Sequence, residues 1–156
     1  MEIRRATVAD LATVVDHRVA FVAEVRGLAA DQVDAAFVEA TAAFVRQGFA
    51  DGSLPTWLAV DGDELLGLVS LQLQRVPPRP GELRPHDGYV LNMYVLPGAR
   101  SRGVGRRLLD ACLASADELG VRRFHLVATD DGRPLYESAG FAVNPTVLER
   151  AVAPPT

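Results

Sequence analysis

The sequence lacks several features that would assign it to a particular class of protein. It has a single cysteine, Cys112, which excludes an intrachain disulfide framework and a cysteine-based metal site. That residue falls in an apolar helical run at 108–113, where a free cysteine is typical of core packing. No uninterrupted apolar stretch approaches the roughly 18 residues of a membrane span, and no apolar signal core follows Met1. We therefore expect a cytoplasmic protein without a membrane partner.

An excess of positive charge is also missing. The formal net charge is −4 at pH 7, which disfavours nucleic acid or an anionic membrane surface as the main partner. Against that acidic background, four arginines lie close together in the chain, at positions 100, 102, 106 and 107. This cluster indicates a local binding site for an anion.

Length and composition are those of one globular domain. The chain has 156 residues, of which 49% are hydrophobic and 23% charged, so an ordinary core is available. We predict one domain over residues 1–152 and a frayed tail at 153–156.

Hydrophobic periodicity and turn residues predict a mixed α/β fold with a single sheet. Apolar residues at helical spacing indicate helices from the capping pair Thr7 and Asp10 to Gly27, and at 31–48, 104–119 and 133–139. Runs rich in β-branched and aromatic residues indicate strands at 2–6, 57–60, 65–76, 89–96, 124–128, 141–143 and 146–152. The predicted order is β-α-α-β-β-β-α-β-α-β-β, with a loop at 77–88 ahead of the strand at 89–96.

The most informative segment is the turn that joins the strand at 89–96 to the helix at 104–119. Main-chain N–H groups at the start of a helix have no internal partner and carry partial positive charge, so they bind phosphates. Gly103 and Gly105 let a ligand approach the main chain closely. The segment has neither the Gly-Lys-Ser/Thr ending of a Walker loop nor the third glycine of a dinucleotide fingerprint. A diphosphate of another kind is therefore predicted.

Arg100-x-x-Gly103-x-Gly105, after a strand that ends Val95-x-Pro97, resembles the acyl-CoA pyrophosphate loop of GCN5-related N-acetyltransferases. The stretch Leu135-Tyr-Glu-Ser-Ala-Gly-Phe141 resembles the second conserved block of that family. Because the order of elements also agrees, the resemblance covers nearly the whole chain. It implies an acetyl-CoA-dependent N-acetyltransferase with a V-shaped cleft between the two central strands and no metal ion.

The resemblance also implies roles for individual residues. Tyr136 would act as general acid toward the leaving thiolate, and the Met93 N–H would stabilise charge on the thioester carbonyl. Val95 would hold the pantetheine arm by main-chain hydrogen bonds. The pyrophosphate would be held, largely by main-chain amides, by Arg100, Ser101, Arg102, Gly103, Val104, Gly105 and Arg106. Thr129 stands where many members have a pantetheine-binding asparagine, and its hydroxyl could replace part of that contact.

The general base and the acceptor stay open at this point. Glu24, on the helix that lines the acceptor side in this family, is the candidate base, although an exposed helical glutamate explains it equally well. Asp87 and the three histidines are weaker candidates, and Asn92 could hold a water or the substrate. The favoured function is acetylation of a primary amine on a small molecule, in a monomer or a homodimer. The alternatives are a protein N-terminal or lysine acetyltransferase and a non-catalytic acyl-CoA-binding module.

Overall fold

A five-stranded sheet forms the centre of the structure, a computed structural model that describes residues 1–81, 83 and 86–151, with only the main chain of Ala30. Its helices and strands follow one another in the order β1 (Glu2–Arg5), α1 (Leu11–Arg26), α2 (Ala35–Ala50), β2 (Thr56–Asp61), β3 (Glu64–Arg75), β4 (His86–Val95), α3 (Val104–Ala114), α4 (Ala116–Leu119), β5 (Val121–His125) and α5 (Arg133–Ser138). Short 3-10 turns cover Val8–Asp10, Ala30–Gln32 and Pro97–Ala99. The predicted mixed α/β fold is confirmed. The predicted tail at 153–156 lies outside the described residues.

The strands lie in chain order across the sheet, β1-β2-β3-β4-β5. The first four pair antiparallel with their neighbours, whereas β5 is parallel to β4. The β4–β5 pairs run only from His86↔Val121 to Tyr89↔His125. Residues 90–95 of β4 continue alongside β3 alone, so β4 and β5 separate and leave the predicted V-shaped cleft. In the described part of the chain, β5 is an edge strand and not a central one.

Apolar side chains cover both faces of the sheet. On one face α1 and α2 pack against the strands through fully or almost fully buried residues, namely Val14, Val15, Val45, Leu54, Leu58 and Leu68. On the other face α3 and α5 pack through a second set, which includes Trp57, Leu66, Val69, Leu71, Val90, Val104, Leu108, Leu109, Cys112 and Tyr136. The cleft therefore has an α1 side and an α3 side.

The ends of α1 follow the sequence signals. The Asp10 carboxylate accepts hydrogen bonds from the Thr7 N–H at 2.8 Å and from the Arg4 guanidinium at 2.7 and 2.9 Å. Gly27 ends the helix with φ of 63°, a conformation that glycine adopts without steric cost. No helix among the described residues is long and apolar enough to cross a membrane.

The second helix differs from its prediction at both ends. It begins at Ala35, because the Asp34 side chain caps it by accepting from the Ala36 N–H at 2.8 Å. Gly48 was the predicted stop, but it lies buried inside the helix. A Cβ there would collide with the side chain of Leu54. This glycine therefore serves close packing and not helix termination.

Three further boundaries were wrong. The strand predicted at 89–96 begins earlier, at His86, and shortens the loop at 77–88. The helix predicted at 104–119 is interrupted at Ser115, whose hydroxyl donates to the Cys112 carbonyl at 2.6 Å. The strand predicted at 124–128 runs from Val121 to His125, because β4 turns away after Tyr89 and leaves residues 126–128 without a ladder partner.

The last two predicted strands are also wrong, since no described residue between 141 and 151 is in a strand. Asn144 and Pro145 start a turn in which the Asn144 side chain accepts from the Thr146 N–H at 3.0 Å. Val143 and Leu148 beside it are 77% and 94% exposed. A run of β-forming residues becomes a strand only when it pairs with a neighbour, and none of these residues pairs with the described sheet.

Candidate active site

A bulge deforms β4 at the point where it leaves β5. The register against β3 shifts by one residue between Leu68↔Tyr94 and Ser70↔Leu91, so two residues of β4 face one residue of β3. Asn92 lies in this bulge with φ of 52°, a left-handed conformation that asparagine tolerates better than most residues. The bulge is thus a local feature of the strand that borders the cleft.

Asn92 is buried, and only one of its two side-chain polar atoms has a hydrogen-bond partner among the described residues. Its side chain is 2% exposed, and its Nδ2 donates to the Ser70 Oγ at 3.4 Å. Ser70 in turn lies 2.9 Å from the Thr56 Oγ1. The Asn92 Oδ1 is buried without a hydrogen-bond partner among the described residues. Such an atom is unusual in a folded protein.

Main-chain N–H groups point into the cleft at Met93 and Val95. The Leu96 N–H donates to the Leu66 carbonyl on β3 at 2.9 Å, and successive N–H groups along a strand point to opposite edges. The N–H groups of Val95 and Met93 therefore point away from β3, toward the gap beside β5. Both are available to a ligand in the cleft, whereas the Val95 carbonyl already accepts the Arg100 Nε at 3.0 Å.

The loop between β4 and α3 presents a row of unpaired amides. None of the six main-chain N–H groups from Ser101 to Arg106 donates to a described residue; the first helical bond runs from the Arg107 N–H to the Gly103 carbonyl, at 3.2 Å. Left-handed conformations at Ser101 (φ 59°) and Gly103 (φ 76°) shape this loop. Consecutive unpaired amides at the start of a helix form an anion-binding site.

Gly105 lets the start of α3 lie close to the cleft. A Cβ at this position would be 3.3 Å from Leu135 Cδ2 and 3.5 Å from Val95 Cγ2. A larger side chain would therefore project between α3, β4 and the helix that carries Tyr136. A glycine is therefore needed at position 105 because space is limited, whereas one is needed at position 103 because φ is positive there.

The arginine side chains near this loop do not all point at it. We expected Arg100 to add charge to the phosphate-binding end, but its guanidinium lies on the α1 side, 2.7 and 2.9 Å from the two Glu24 carboxylate oxygens. Arg106 contacts Asp110 at 2.8 Å and the Ser138 carbonyl at 3.4 Å. The side chains of Arg100 and Arg106 therefore have other partners, and the unpaired donors of this loop described above are main-chain amides.

Glu24 is held by two donors. Besides Arg100, the Tyr94 hydroxyl donates to it at 2.9 Å. The hydrogen bond from Arg100, and then that from Tyr94, keeps the pKa of Glu24 below its ordinary value. A carboxylate with a lowered pKa is a weak base. This arrangement disfavours the expected role of Glu24 as general base and indicates an anchor between α1 and the anion-binding loop.

Tyr136 lies at the α3 side of the cleft and is 9% exposed. Burial, with smaller contributions from Cys112 and Tyr89, raises the pKa of Tyr136 to about 12. No described residue hydrogen-bonds its hydroxyl. Gly132 gives the ring room, because a Cβ there would lie 3.3 Å from the Tyr136 Cε2. The phenol is therefore protonated at neutral pH and available as a proton donor.

The other candidates have structural roles in the fold. The Thr129 hydroxyl accepts from the Gly132 N–H at 3.2 Å and helps to start α5. Asp87 pairs with Arg123 on β5 at 3.6 Å. Cys112 is fully buried, as the sequence predicts, and burial raises the pKa of its thiol to about 12.

Two residues near the site were not assigned a role from the sequence. Tyr89, on β4, lies close enough to Tyr136 and to Arg18 of α1 to shift the pKa of both. Arg18 follows Leu11, Val14 and Val15 at helical spacing. A charged residue on the apolar stripe of a helix is the signal that could have identified it.

The family comparison agrees with this geometry. The model of the acetyltransferase (GNAT) family matches residues 22–141. The chain belongs to this family. The matched segment includes the last five residues of α1, the cleft strands, the anion-binding loop and Tyr136. No curated protein matches the sequence significantly.

Solved structures are similar along the whole chain. A GCN5-related N-acetyltransferase from Ralstonia eutropha is 32% identical, with a TM-score of 0.82 over 97% of both chains. A predicted acetyltransferase from Clostridium acetobutylicum, solved with acetyl-CoA, is 23% identical, with a TM-score of 0.84 over 96% of this chain and 95% of the other. An aminoglycoside 6'-N-acetyltransferase from Acinetobacter haemolyticus is 19% identical, with a TM-score of 0.69 over 99% and 100%.

Proposed function

We propose that this GNAT-family chain transfers an acetyl group from acetyl-CoA to a primary amine of a small molecule, by direct transfer between the two bound substrates. The observation that carries the proposal is the row of six unpaired amides from Ser101 to Arg106 at the start of α3. A linked pair of phosphates is the ligand that such a row accommodates best.

The residues of the cleft fit the rest of such a coenzyme. The N–H of Val95 is available for an amide of the pantetheine arm, and the open edge of β4 leads from the anion-binding loop toward Tyr89. Bound acetyl-CoA would supply an activated thioester. Met93 would donate its N–H to the carbonyl oxygen, where negative charge develops as the amine attacks.

Proton movements complete the reaction. The new N–C bond forms as the C–S bond breaks, and the amine loses one proton. Tyr136 would give its phenolic proton to the departing sulfur, because its raised pKa keeps it protonated and no described residue competes for the hydroxyl. Glu24 stays ionised in its contact with Arg100, so we assign removal of the amine proton to water and not to Glu24.

The α1 side of the cleft is the place for the acceptor. The anion-binding loop and Tyr136 define the α3 side as the coenzyme side. A direct transfer brings the amine to the thioester from the other side, where α1 and the outer face of β4 meet. The aromatic rings of Phe21 and Tyr94, with centroids 5.9 Å apart, line that surface.

Two measurements test the proposal. Titration calorimetry with acetyl-CoA and with free coenzyme A should show binding, and a thiol reagent should detect coenzyme release when amines are added. The only cysteine, Cys112, is fully buried, so the protein itself contributes little background. Absence of heat with either coenzyme form at millimolar concentration would overturn the proposal.

The same experiment separates small-molecule from protein acceptors. The chain contains no lysine, so acetyl-lysine detected in a mixture with an added protein comes from that protein. We expect thiol release with small amines and no acetyl-lysine on added histone or albumin. Coenzyme binding without thiol release for any amine or peptide would instead favour a non-catalytic binding module.

A further inference from the structure

Arg18 differs from the other arginines that the structure describes. All of these are exposed except Arg4 and Arg18. Arg4 is held by the Asp10 carboxylate through two hydrogen bonds of 2.9 and 2.7 Å. Arg18 has neither a hydrogen bond nor an ion pair with any described residue. A half-buried cation without a counter-ion is costly, so such groups are usually paired.

The surroundings of Arg18 are aromatic. Its Cζ lies 5.9 Å from the centre of the Phe21 ring, and Phe21 packs against Tyr94. Burial lowers the pKa of Arg18, and the nearby Tyr89 partly offsets this effect. Tyr94 in turn donates a hydrogen bond to Glu24 on the same helix, at 2.9 Å. Arg18 therefore lies on the α1 side of the cleft, beside the aromatic pair Phe21 and Tyr94.

The local charge balance favours an anionic ligand here. Glu24, six residues after Arg18 on α1, is paired with Arg100 at 2.7 Å. Asp87, at the start of β4, is paired with Arg123. These two carboxylates thus have other partners, and Arg18 has no ion pair with any described residue.

We propose that Arg18 binds an oxyanion on the acceptor, a carboxylate or a phosphate, so that the preferred substrates are amines that also carry a negative charge. The planar guanidinium donates two parallel hydrogen bonds to either group. Phe21 and Tyr94 contact the apolar body that joins the anion to the amine. This inference rests on the proposed acetyl transfer and adds the class of acceptor to it.

The test uses matched pairs of amines that differ only in the anion. The pairs are phenylalanine with phenethylamine, 4-aminobutyrate with butylamine, and phosphoethanolamine with ethanolamine; the first two test a carboxylate and the third a phosphate. For wild-type protein we expect kcat/KM to be about 10- to 100-fold higher for the anionic member of at least one pair, as for a charge-assisted hydrogen bond.

The variant Arg18→Gln should remove this preference by raising the KM of the anionic amine, while the KM of its neutral partner and that of acetyl-CoA stay unchanged. Arg18→Lys should retain part of the preference, since lysine keeps the positive charge but lacks the planar guanidinium that donates two parallel hydrogen bonds. Arg46→Gln, an exposed arginine on α2, is the matched control and should behave like wild type.

Each outcome is decisive. Equal or lower kcat/KM for every anionic member in wild type, or a preference that survives Arg18→Gln, overturns the inference. If Arg18→Gln does not fold, the wild-type pairs and Arg18→Lys still decide it. Acetyl-CoA binding measured without acceptor keeps the two proposals apart: if binding and neutral-amine turnover persist, only the anion site has failed.

Discussion

The two sides of the cleft present their unpaired polar groups in different ways. On the α3 side these groups are main-chain amides, six in a row from Ser101 to Arg106. On the α1 side the unpaired group is the side chain of Arg18, which has no counter-ion among the described residues, whereas Glu24 is paired with Arg100. The direction of main-chain amides depends on the shape of the loop, and hence on glycines at fixed positions. Side chains, in contrast, can be exchanged without a change in the fold.

The difference explains what each side is suited to. In the proposed reaction, a loop of amides would bind the same phosphates in every cycle and would need little else from the sequence. In the same proposal, a helix face with one arginine and aromatic neighbours would select among acceptors. We therefore expect substitutions on the α3 side to affect every reaction of this protein, and substitutions on the α1 side to change which amine is used.

The largest effect should come from Gly105→Glu. The new side chain would enter the space now bordered by Val95 and Leu135 and bring a carboxylate to the unpaired amides, where like charge repels a phosphate. Calorimetry should show acetyl-CoA affinity reduced by about 100-fold or more. Gly98→Ala is the control in the same loop, because no atom lies within 4 Å of its added Cβ. Equal loss in both variants would mean general damage to the loop.

Tyr136→Phe should have the next largest effect, in the chemical step and not in binding. Loss of the proton donor should lower kcat by about 100- to 1,000-fold with little change in acetyl-CoA affinity. Because the pKa of Tyr136 is raised to about 12, the donor stays protonated as the pH rises. The kcat of wild type should therefore show no alkaline loss from this group below about pH 11. A variant with near-normal kcat would remove Tyr136 from the mechanism.

The α3 side could largely be predicted from the sequence, because its function depends on local patterns. The turn with Gly103 and Gly105, the helix that follows and the buried Tyr136 all have short-range signals. The direction of the Arg100 side chain could not be predicted, since its partner Glu24 is 76 residues away in the chain. Arg18 was missed for the same reason, because an unpaired charge is recognisable only when all its neighbours are known.

The fold shows the same limit. Helix and strand types were predicted correctly as far as Ser138, because hydrophobic periodicity, turn residues and helix-ending glycines are local signals. The predicted ends of helices and strands were wrong where these ends depend on tertiary contacts. Gly48 continues its helix because Leu54 packs on it, and β5 ends where β4 turns away from it. The strands predicted at 141–143 and 146–152 failed because propensity does not provide a pairing partner.

Substitutions of Asn92 test the bulge that lies between the two sides. Asn92→Ala should reduce the free energy of unfolding by about 2 kcal/mol, from strain at positive φ and the lost contact with Ser70. Asn92→Gly relieves the strain, so its loss should be about 1 kcal/mol smaller. Urea unfolding of both variants measures the difference. Equal losses would show that the left-handed conformation costs nothing here.

Glu24→Gln should have the smallest effect, since it alters only the link between α1 and the anion-binding loop. If Glu24 is an anchor of this kind, kcat should fall by less than about 10-fold, whereas loss of a general base should lower kcat by at least about 100-fold.

The same variant has a small effect on stability. The Glu24–Arg100 pair is nearly half exposed, so its loss should cost less than about 1 kcal/mol of unfolding free energy at pH 7. Because the folded pKa of Glu24 is lowered, this contribution is present above the unfolded pKa and disappears as the pH falls through the folded one. Unfolding curves for wild type and variant should therefore converge at acidic pH, and a stability difference that persists there would place the effect of Glu24 outside its ion pair.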